Sequence, residues 1–201
     1  MIAVVDYGIG NLRSAEKALQ HLGADAGLTT DPGDIERADA VVLPGVGAFG
    51  ACMRALRASG LEVATKRAAT DGRPFLGICI GMQMLFDGSD ESPGVAGLRV
   101  LRGRVTRLPA NERLPQMGWN TLDIESGSRA CAHLPDPAWL YFVHSYAPEP
   151  TDAGVVAAWC DYGRRFAAAV EPGPVWATQF HPEKSGKVGL QLLRNFVEVA
   201  A

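Results

Sequence analysis

The sequence predicts an α/β fold: an open, mostly parallel sheet flanked by helices, with an antiparallel strand-rich extension. Three observations predict it. The first half alternates short apolar runs with helix-period stripes, the pattern of strands buried on both faces. The second half is a succession of strand-like runs that ends in one amphipathic helix. No linker, repeat or low-complexity segment divides residues 1–201, so the chain is expected to be one domain.

Residues 2–5 form a continuous apolar run, as expected of a buried strand. Tyr7-Gly8-Ile9-Gly10 is a turn, and Asn11 is placed to cap a helix. The helix shows a stripe of Leu12, Ala15, Leu19 and Leu22, with Gly23 as its stop. Strands are expected over 24–29 and 38–43. Pro44 to Gly50 is a glycine-rich loop leading into a helix of Ala, Met and Leu, and a further helix is expected over 61–69. The next strand ends at Cys79. Strand-like runs then cover 98–108, 120–124, 139–146, 155–161, 165–170 and 175–180, and residues 188–199 make the closing helix.

A chain of 201 residues has room for a sizeable core, and 47% hydrophobic with 20% charged residues is ordinary for a soluble globular protein. With 19 basic and 22 acidic residues and no block of either sign, nothing points to nucleic acid. The longest apolar stretches fall short of the roughly 18 residues a membrane span needs. The N-terminal residues lack the basic region and cleavage site of a signal peptide. Cys52, Cys79, Cys131 and Cys160 show no Cys-x-x-Cys spacing and no zinc-type cluster, so reduced thiols in a cytoplasmic protein are expected, with no metal. Cys52 and Cys160 lie in apolar stretches and read as packing; Cys131 sits in a polar loop.

Cys79 differs from these three. Gly77 and Gly81 flank it where a strand turns sharply into a helix-like stretch, a turn that pushes its central side chain towards a crevice. The helix N-terminus there favours a thiolate. About a hundred residues on, Gln179-Phe180-His181-Pro182-Glu183 places an imidazole and a carboxylate at the end of another apolar run. Together these read as nucleophile, base and orienting group. The loop with Gly45, Val46 and Gly47 could turn backbone N–H groups onto an oxyanion, with the N–H of Ile80 beside the nucleophile; an ordinary strand-to-helix turn is the plain alternative. A P-loop is a weaker reading, because its Lys and Ser/Thr are absent. Gln83, one turn beyond Cys79, and His144-Ser145-Tyr146 offer hydrogen-bonding groups to a polar ligand. Gly45, Cys79 and His181 each follow a predicted strand, so they are expected at the carboxyl edge of the sheet, where ligands of open α/β sheets bind.

Gly77-Ile78-Cys79-Ile80-Gly81-Met82-Gln83 together with His181-Pro182-Glu183 resembles the class I glutamine amidotransferases. More narrowly, the chain is similar to the glutaminase subunits of imidazole glycerol phosphate synthases. That likeness rests on Asp6 to Ser14, Leu43 to Phe49, Met117-Gly118-Trp119-Asn120 and His181-Pro182-Glu183-Lys184-Ser185. The resemblance implies hydrolysis of glutamine to glutamate and ammonia. Cys79 would form a γ-glutamyl thioester, His181 would move protons, and Glu183 would orient His181. It further implies an oxyanion hole from Val46, Gly47 and Ile80, completed by a peptide flip near Val46. Glutamine would be bound by Gly45, Gln83, His144, Ser145 and Tyr146, without a cofactor. Ammonia would pass to a separate (β/α)8 cyclase subunit in a heterodimer serving histidine biosynthesis, with Asn11, Arg13, Trp119, Asn120 and Lys184 at or near the interface. Two departures stand out: Arg113-Leu114-Pro115-Gln116 where the family often has Lys-x-Pro-His, and Ile80 where Leu is common. A glutaminase of another synthase, such as that of pyridoxal phosphate formation, remains an alternative. So do a non-catalytic module of the same fold and a general cysteine hydrolase.

Overall fold

The computed structural model of the protein describes residues 1–109 and 111–201. The first half alternates as β1 (Ile2–Val5), α1 (Leu12–His21), β2 (Ala26–Thr29), α2 (Pro32–Arg37), β3 (Ala40–Gly45), α3 (Phe49–Ala58), α4 (Glu62–Ala68), β4 (Phe75–Cys79) and α5 (Ile80–Met84). The second half contributes β5 (Gly88–Ser89), β6 (Gly103–Arg107), β7 (Gln116–Thr121), β8 (Asp123–Ile124), β9 (Trp139–His144), β10 (Tyr146–Pro150), β11 (Val156–Asp161), β12 (Arg165–Val170), β13 (Val175–Thr178) and α6 (Gly186–Val199).

An eight-stranded sheet runs in the order β2-β1-β3-β4-β13-β12-β11-β8. From β2 to β13 every neighbour is parallel; from β13 to β8 every neighbour is antiparallel. This is the expected mostly parallel sheet with an antiparallel extension. The central strands β1, β3, β4 and β13 are buried at every position, which is why they read as unbroken apolar runs rather than alternations. Two smaller sheets, β10-β6-β5 and β7-β9, are built from the strand-rich half.

The sequence expectation departs from the structure in four places. Helix α2 was not anticipated: it buries only Ile35, so six residues carry no period, although Asp31 accepts from the Gly33 N–H at 2.7 Å and Pro32 occupies its first turn. The strand expected over 98–108 is confined to β6. Leu98 and Leu101 are buried as their apolarity demands, but their N–H groups serve the Met84 and Leu85 carbonyls that end α5. The run at 120–124 is the meeting of β7 and β8, and the run at 139–146 breaks at Ser145 into β9 and β10, which join different sheets. The helix expected directly after Cys79 is present as the five residues of α5.

One apolar cluster fills the parallel sheet and its helices; a second lies under the antiparallel half. In the second, Phe142 of β9 meets Phe166 of β12 at 6.0 Å and Phe180 at 5.6 Å, both edge-on. Phe180 immediately precedes His181, and Phe142 lies two residues before His144 on β9. The packing of three rings therefore fixes the spacing of two pocket segments that are distant in sequence.

Candidate active site

Strands β3, β4 and β13 lie side by side, and their registers bring Gly45 opposite Cys79 and Thr178 opposite Ile78. Their carboxyl ends share one rim, as the sheet rule expects. Cys79 leaves β4 at φ 56° and ψ −109°, a left-handed backbone for a residue with a side chain. Such a conformation costs on the order of 1–3 kcal/mol and has to be held by its surroundings. Gly81 supplies part of the hold: a Cβ there would come within 1.8 Å of the Leu43 carbonyl oxygen, so α5 packs directly on the β3 backbone. The sequence reading placed the need for small residues at the bend itself; the structure adds this contact across strands.

His181 begins a short 3-10 turn after β13 and is 1% exposed. Its Nδ1 donates to Oε1 of Glu183 at 2.8 Å, and its Nε2 is buried without a hydrogen-bond partner, in the cavity wall that Cys79 shares. Burial alone would depress the imidazole; the neighbouring Cys79 and the hydrogen-bonded Glu183 carboxylate outweigh it and raise its pKa to about 9. Glu183 is in turn tied to the first helix. Asn11 Nδ2 donates to the same Oε1 at 3.2 Å, and Ser14 Oγ donates to Asn11 Oδ1 at 2.8 Å, which fixes the direction of that amide. Asn11 precedes α1 as expected, yet its side chain makes no cap bond; it is spent on Glu183.

A cavity of about 540 Å³ opens on this rim, lined by Val46, Gly47, Cys79, Ile80, Gln83, His144, Ser145, Tyr146, His181, Asn11 and Lys184 among others. Gly45 does not line it, and Glu183 stands behind His181. The loop carrying Val46 and Gly47 is gripped from behind at two carbonyls. Tyr7 donates its hydroxyl to Pro44 O at 2.8 Å, and the Cys52 thiol donates to Val46 O at 3.2 Å. Burial pushes both the Tyr7 phenol and the Cys52 thiol upward, so both keep the proton they donate. Gly47 sits at φ 89°, where a side chain would be strained.

Gln83 is 1% exposed, and its Nε2 donates to the Tyr146 carbonyl and to Gln179 Oε1, both at 2.9 Å; its Oε1 is buried without a partner. His144 packs its ring on Phe166 and Phe142, and its Nδ1 donates to the Tyr146 carbonyl at 2.9 Å. Burial lowers its pKa to about 4 and keeps it neutral.

Sequence reasoning passed over Glu91. It lines the cavity while its Oε2 accepts from the Phe49 N–H at 2.7 Å, at the start of α3. It sits in a polar loop with no spacing signal, and only the fold brings it to the rim. Tyr7 and Cys52, which the sequence presents as turn and packing, reach the rim for the same reason. Of the expected interface residues, Asn11 and Lys184 line the cavity. Trp119 is 53% exposed and meets Tyr141 edge-on at 6.0 Å, Asn120 Nδ2 donates to the Asp161 carbonyl at 3.0 Å, and Arg13 pairs with Glu16 at 3.0 Å. Among the described residues, no group of three His, Cys, Asp or Glu could hold a metal, and no helix is long and apolar enough to cross a membrane.

The family model "Glutamine amidotransferase class-I" matches residues 3–200. The imidazole glycerol phosphate synthase subunit HisH of Methanothermobacter thermautotrophicus is 52% identical over 199 residues, covering 99% of this chain and 98% of the relative. That of Geobacter sulfurreducens is 47% identical over 205 residues, covering 98% of each. Among solved structures, one described as a glutamine amidotransferase superposes with a TM-score of 0.74 at 25% identity, covering 100% of this chain and 99% of its own. PurLQS from Thermotoga maritima gives 0.75 at 19% identity, covering 98% and 97%, a likeness of fold.

Proposed function

This chain belongs to the class I glutamine amidotransferases, and we propose that it is the glutaminase subunit of an imidazole glycerol phosphate synthase, acting in histidine biosynthesis. The observation that carries the chemistry is a buried His181, hydrogen-bonded to Glu183 through Nδ1, in the wall of a cavity that Cys79 also lines.

Glutamine enters with its carboxamide towards Cys79. The thiolate attacks the carboxamide carbon, and the oxyanion that forms is received by backbone N–H groups of Val46 or Gly47 and of Ile80. Removing one such donor costs about 10²–10³ in rate in comparable sites. His181, protonated by the field of its two partners, gives its proton to the departing nitrogen, and ammonia leaves a γ-glutamyl thioester. Water then attacks the thioester while His181 takes a proton, and glutamate departs from the restored thiol. Gln83 offers its unpaired Oε1 to a donor hydrogen of the substrate, and Glu91 offers negative charge to its α-ammonium. The Ser145–Tyr146 backbone closes the wall.

Ammonia is a product worth hydrolysing glutamine for only if a second subunit takes it up. We assign that subunit as a separate (β/α)8 cyclase, forming a heterodimer in the cytoplasm, with residues 1–201 acting as one glutaminase domain. The face it meets is the outer side of the β7–β9 pair, where Met117 (65% exposed), Trp119 and Trp139 stand out and Met117 pairs across to Val143 at the cavity mouth. Lys184 and Asn11 line the same cavity, and we assign Arg13 and Asn120 to the same interface. Asn11 also touches Glu183, so contact with a partner has a direct route to the catalytic imidazole.

The test is glutamate release from glutamine by this chain alone, with the cyclase subunit, and with the cyclase plus its ribonucleotide ligand. Strong activation in the ternary mixture is expected. Equal rates throughout would leave the glutaminase and remove the proposed partner. In Cys79→Ala, hydrolysis is expected to vanish while the complex still forms.

A further inference from the structure

Gln179 lies between β13 and His181 and is fully buried. Its main chain is pinned to β12 by a bond from its N–H to the Ala168 carbonyl at 2.8 Å. Its side chain spans the gap between Gln83 and the nucleophile: Oε1 accepts from Gln83 Nε2 at 2.9 Å, and Nε2 lies 3.7 Å from Cys79 Sγ. No role in the reaction derived above uses it.

The direction of this chain of bonds is dictated by a group that can only accept. The Tyr146 carbonyl receives Gln83 Nε2 at 2.9 Å, so Gln83 must turn its NH2 to that side. The same NH2 faces Gln179, which must therefore present its oxygen. The NH2 of Gln179 is then left to face sulfur. Turning the Gln179 amide over would set two NH2 groups against each other and place an oxygen beside a sulfur lone pair. His144 strengthens the anchor, since its Nδ1–H donates to the same Tyr146 carbonyl.

We propose that Gln179 is a positioning residue for the nucleophile: oriented by Gln83, it donates a hydrogen bond to Sγ of Cys79 and holds the sulfur, as thiolate, in the direction of the cavity. A donor on an anionic sulfur favours the charged state more than the neutral one, as with other charge-assisted bonds. It also fixes one side chain on a strained backbone, leaving His181 free to serve as the proton carrier. The inference rests on Cys79 being the nucleophile, as proposed above.

The experiment compares the whole chain with Gln179→Glu, which keeps size and the oxygen facing Gln83 but exchanges the donor for a carboxylate, and with Gln179→Met, which removes both polar atoms. The first readout is alkylation of Cys79 by iodoacetamide at pH 7 and at pH 9, followed by mass spectrometry of the Cys79 peptide. It needs no glutamine turnover, so it stands apart from the substrate assignment. The rate at pH 7 is expected to fall several-fold in Gln179→Met and further in Gln179→Glu, with a smaller fall at pH 9. The second readout is glutaminase kinetics, where kcat is expected to fall about tenfold with KM nearly unchanged. An unchanged alkylation rate at pH 7 in a folded variant would overturn the proposal, and so would a rise in KM with kcat preserved. Should Gln179→Met fail to fold, the isosteric Gln179→Glu alone decides between these outcomes.

Discussion

His181 and His144 line the same cavity and are both buried, yet their proton affinities move in opposite directions. Burial pulls each down. At His144 little opposes it: the ring is packed on Phe142 and Phe166, and its one partner is a neutral carbonyl. At His181 two partners able to carry negative charge, Cys79 and Glu183, more than offset burial. The difference between a histidine that braces a wall and one that moves protons is thus made chiefly by charge: Cys79 and Glu183 raise His181, while His181 and Arg164 add positive charge near His144.

Replacing Glu183 by Gln breaks the comparison most severely. It removes the carboxylate while keeping the shape, so His181 loses its orienting charge and becomes more like His144. Glutamine hydrolysis is expected to fall about 10³-fold or more, by analogy with other triads that lose this carboxylate. A proton NMR titration should show the His181 midpoint well below about 9. A midpoint left near its original place would mean that Cys79 alone sets the field.

His144→Phe removes the donor to the Tyr146 carbonyl and leaves that carbonyl with Gln83 alone. A loss of about 1–3 kcal/mol in urea unfolding is expected. Hydrolysis should suffer far less than in Glu183→Gln, because no proton passes through this ring. A loss of activity equal to that of Glu183→Gln would erase the distinction between the two histidines.

The pH dependence of stability sharpens it further. His181 has its pKa raised, so its contribution is complete below about 6.5 and is lost as pH climbs through about 9. His144 has its pKa lowered, so its contribution is complete above about 6.5 and is lost as pH falls towards about 4. Each is worth about 3 kcal/mol. Urea unfolding from pH 4 to pH 10 should lose part of its alkaline decline in His181→Phe and part of its acid decline in His144→Phe; the buried Cys131 and Cys160 thiols, pushed up to about 11 and about 12, supply the rest of the alkaline decline.

Asn11→Ala is the mildest test. It deletes the second donor to Glu183 Oε1 and should slow hydrolysis several-fold, about the worth of one hydrogen bond to a charged group. A larger effect in the complex than in the free chain would support the route from interface to imidazole.

The sequence made some of this legible and hid the rest for physical reasons. Doubly buried strands such as β1, β3 and β4 announce themselves as apolar runs, and the glycine-flanked Cys79 with His181 and Glu183 forms a pattern no single structural need explains. Helix α2 was hidden because one buried residue makes no period, although Asp31-Pro32 was a readable start. The strand-rich half was blurred where buried loops are as apolar as strands, as at Leu98 and Leu101. The contacts that support the triad from behind were out of reach: Asn11 meets Glu183 across 172 positions, and Gln179 meets Cys79 across 100. Separations of that size leave no periodic trace.

The central claim is that Cys79 attacks glutamine, and acid-quenching the protein during turnover tests it most directly. Mass spectrometry should find one γ-glutamyl group on the peptide that carries Cys79, and none in Cys79→Ala. Glutamate formed with no adduct on Cys79, or an adduct on another residue, would contradict the account.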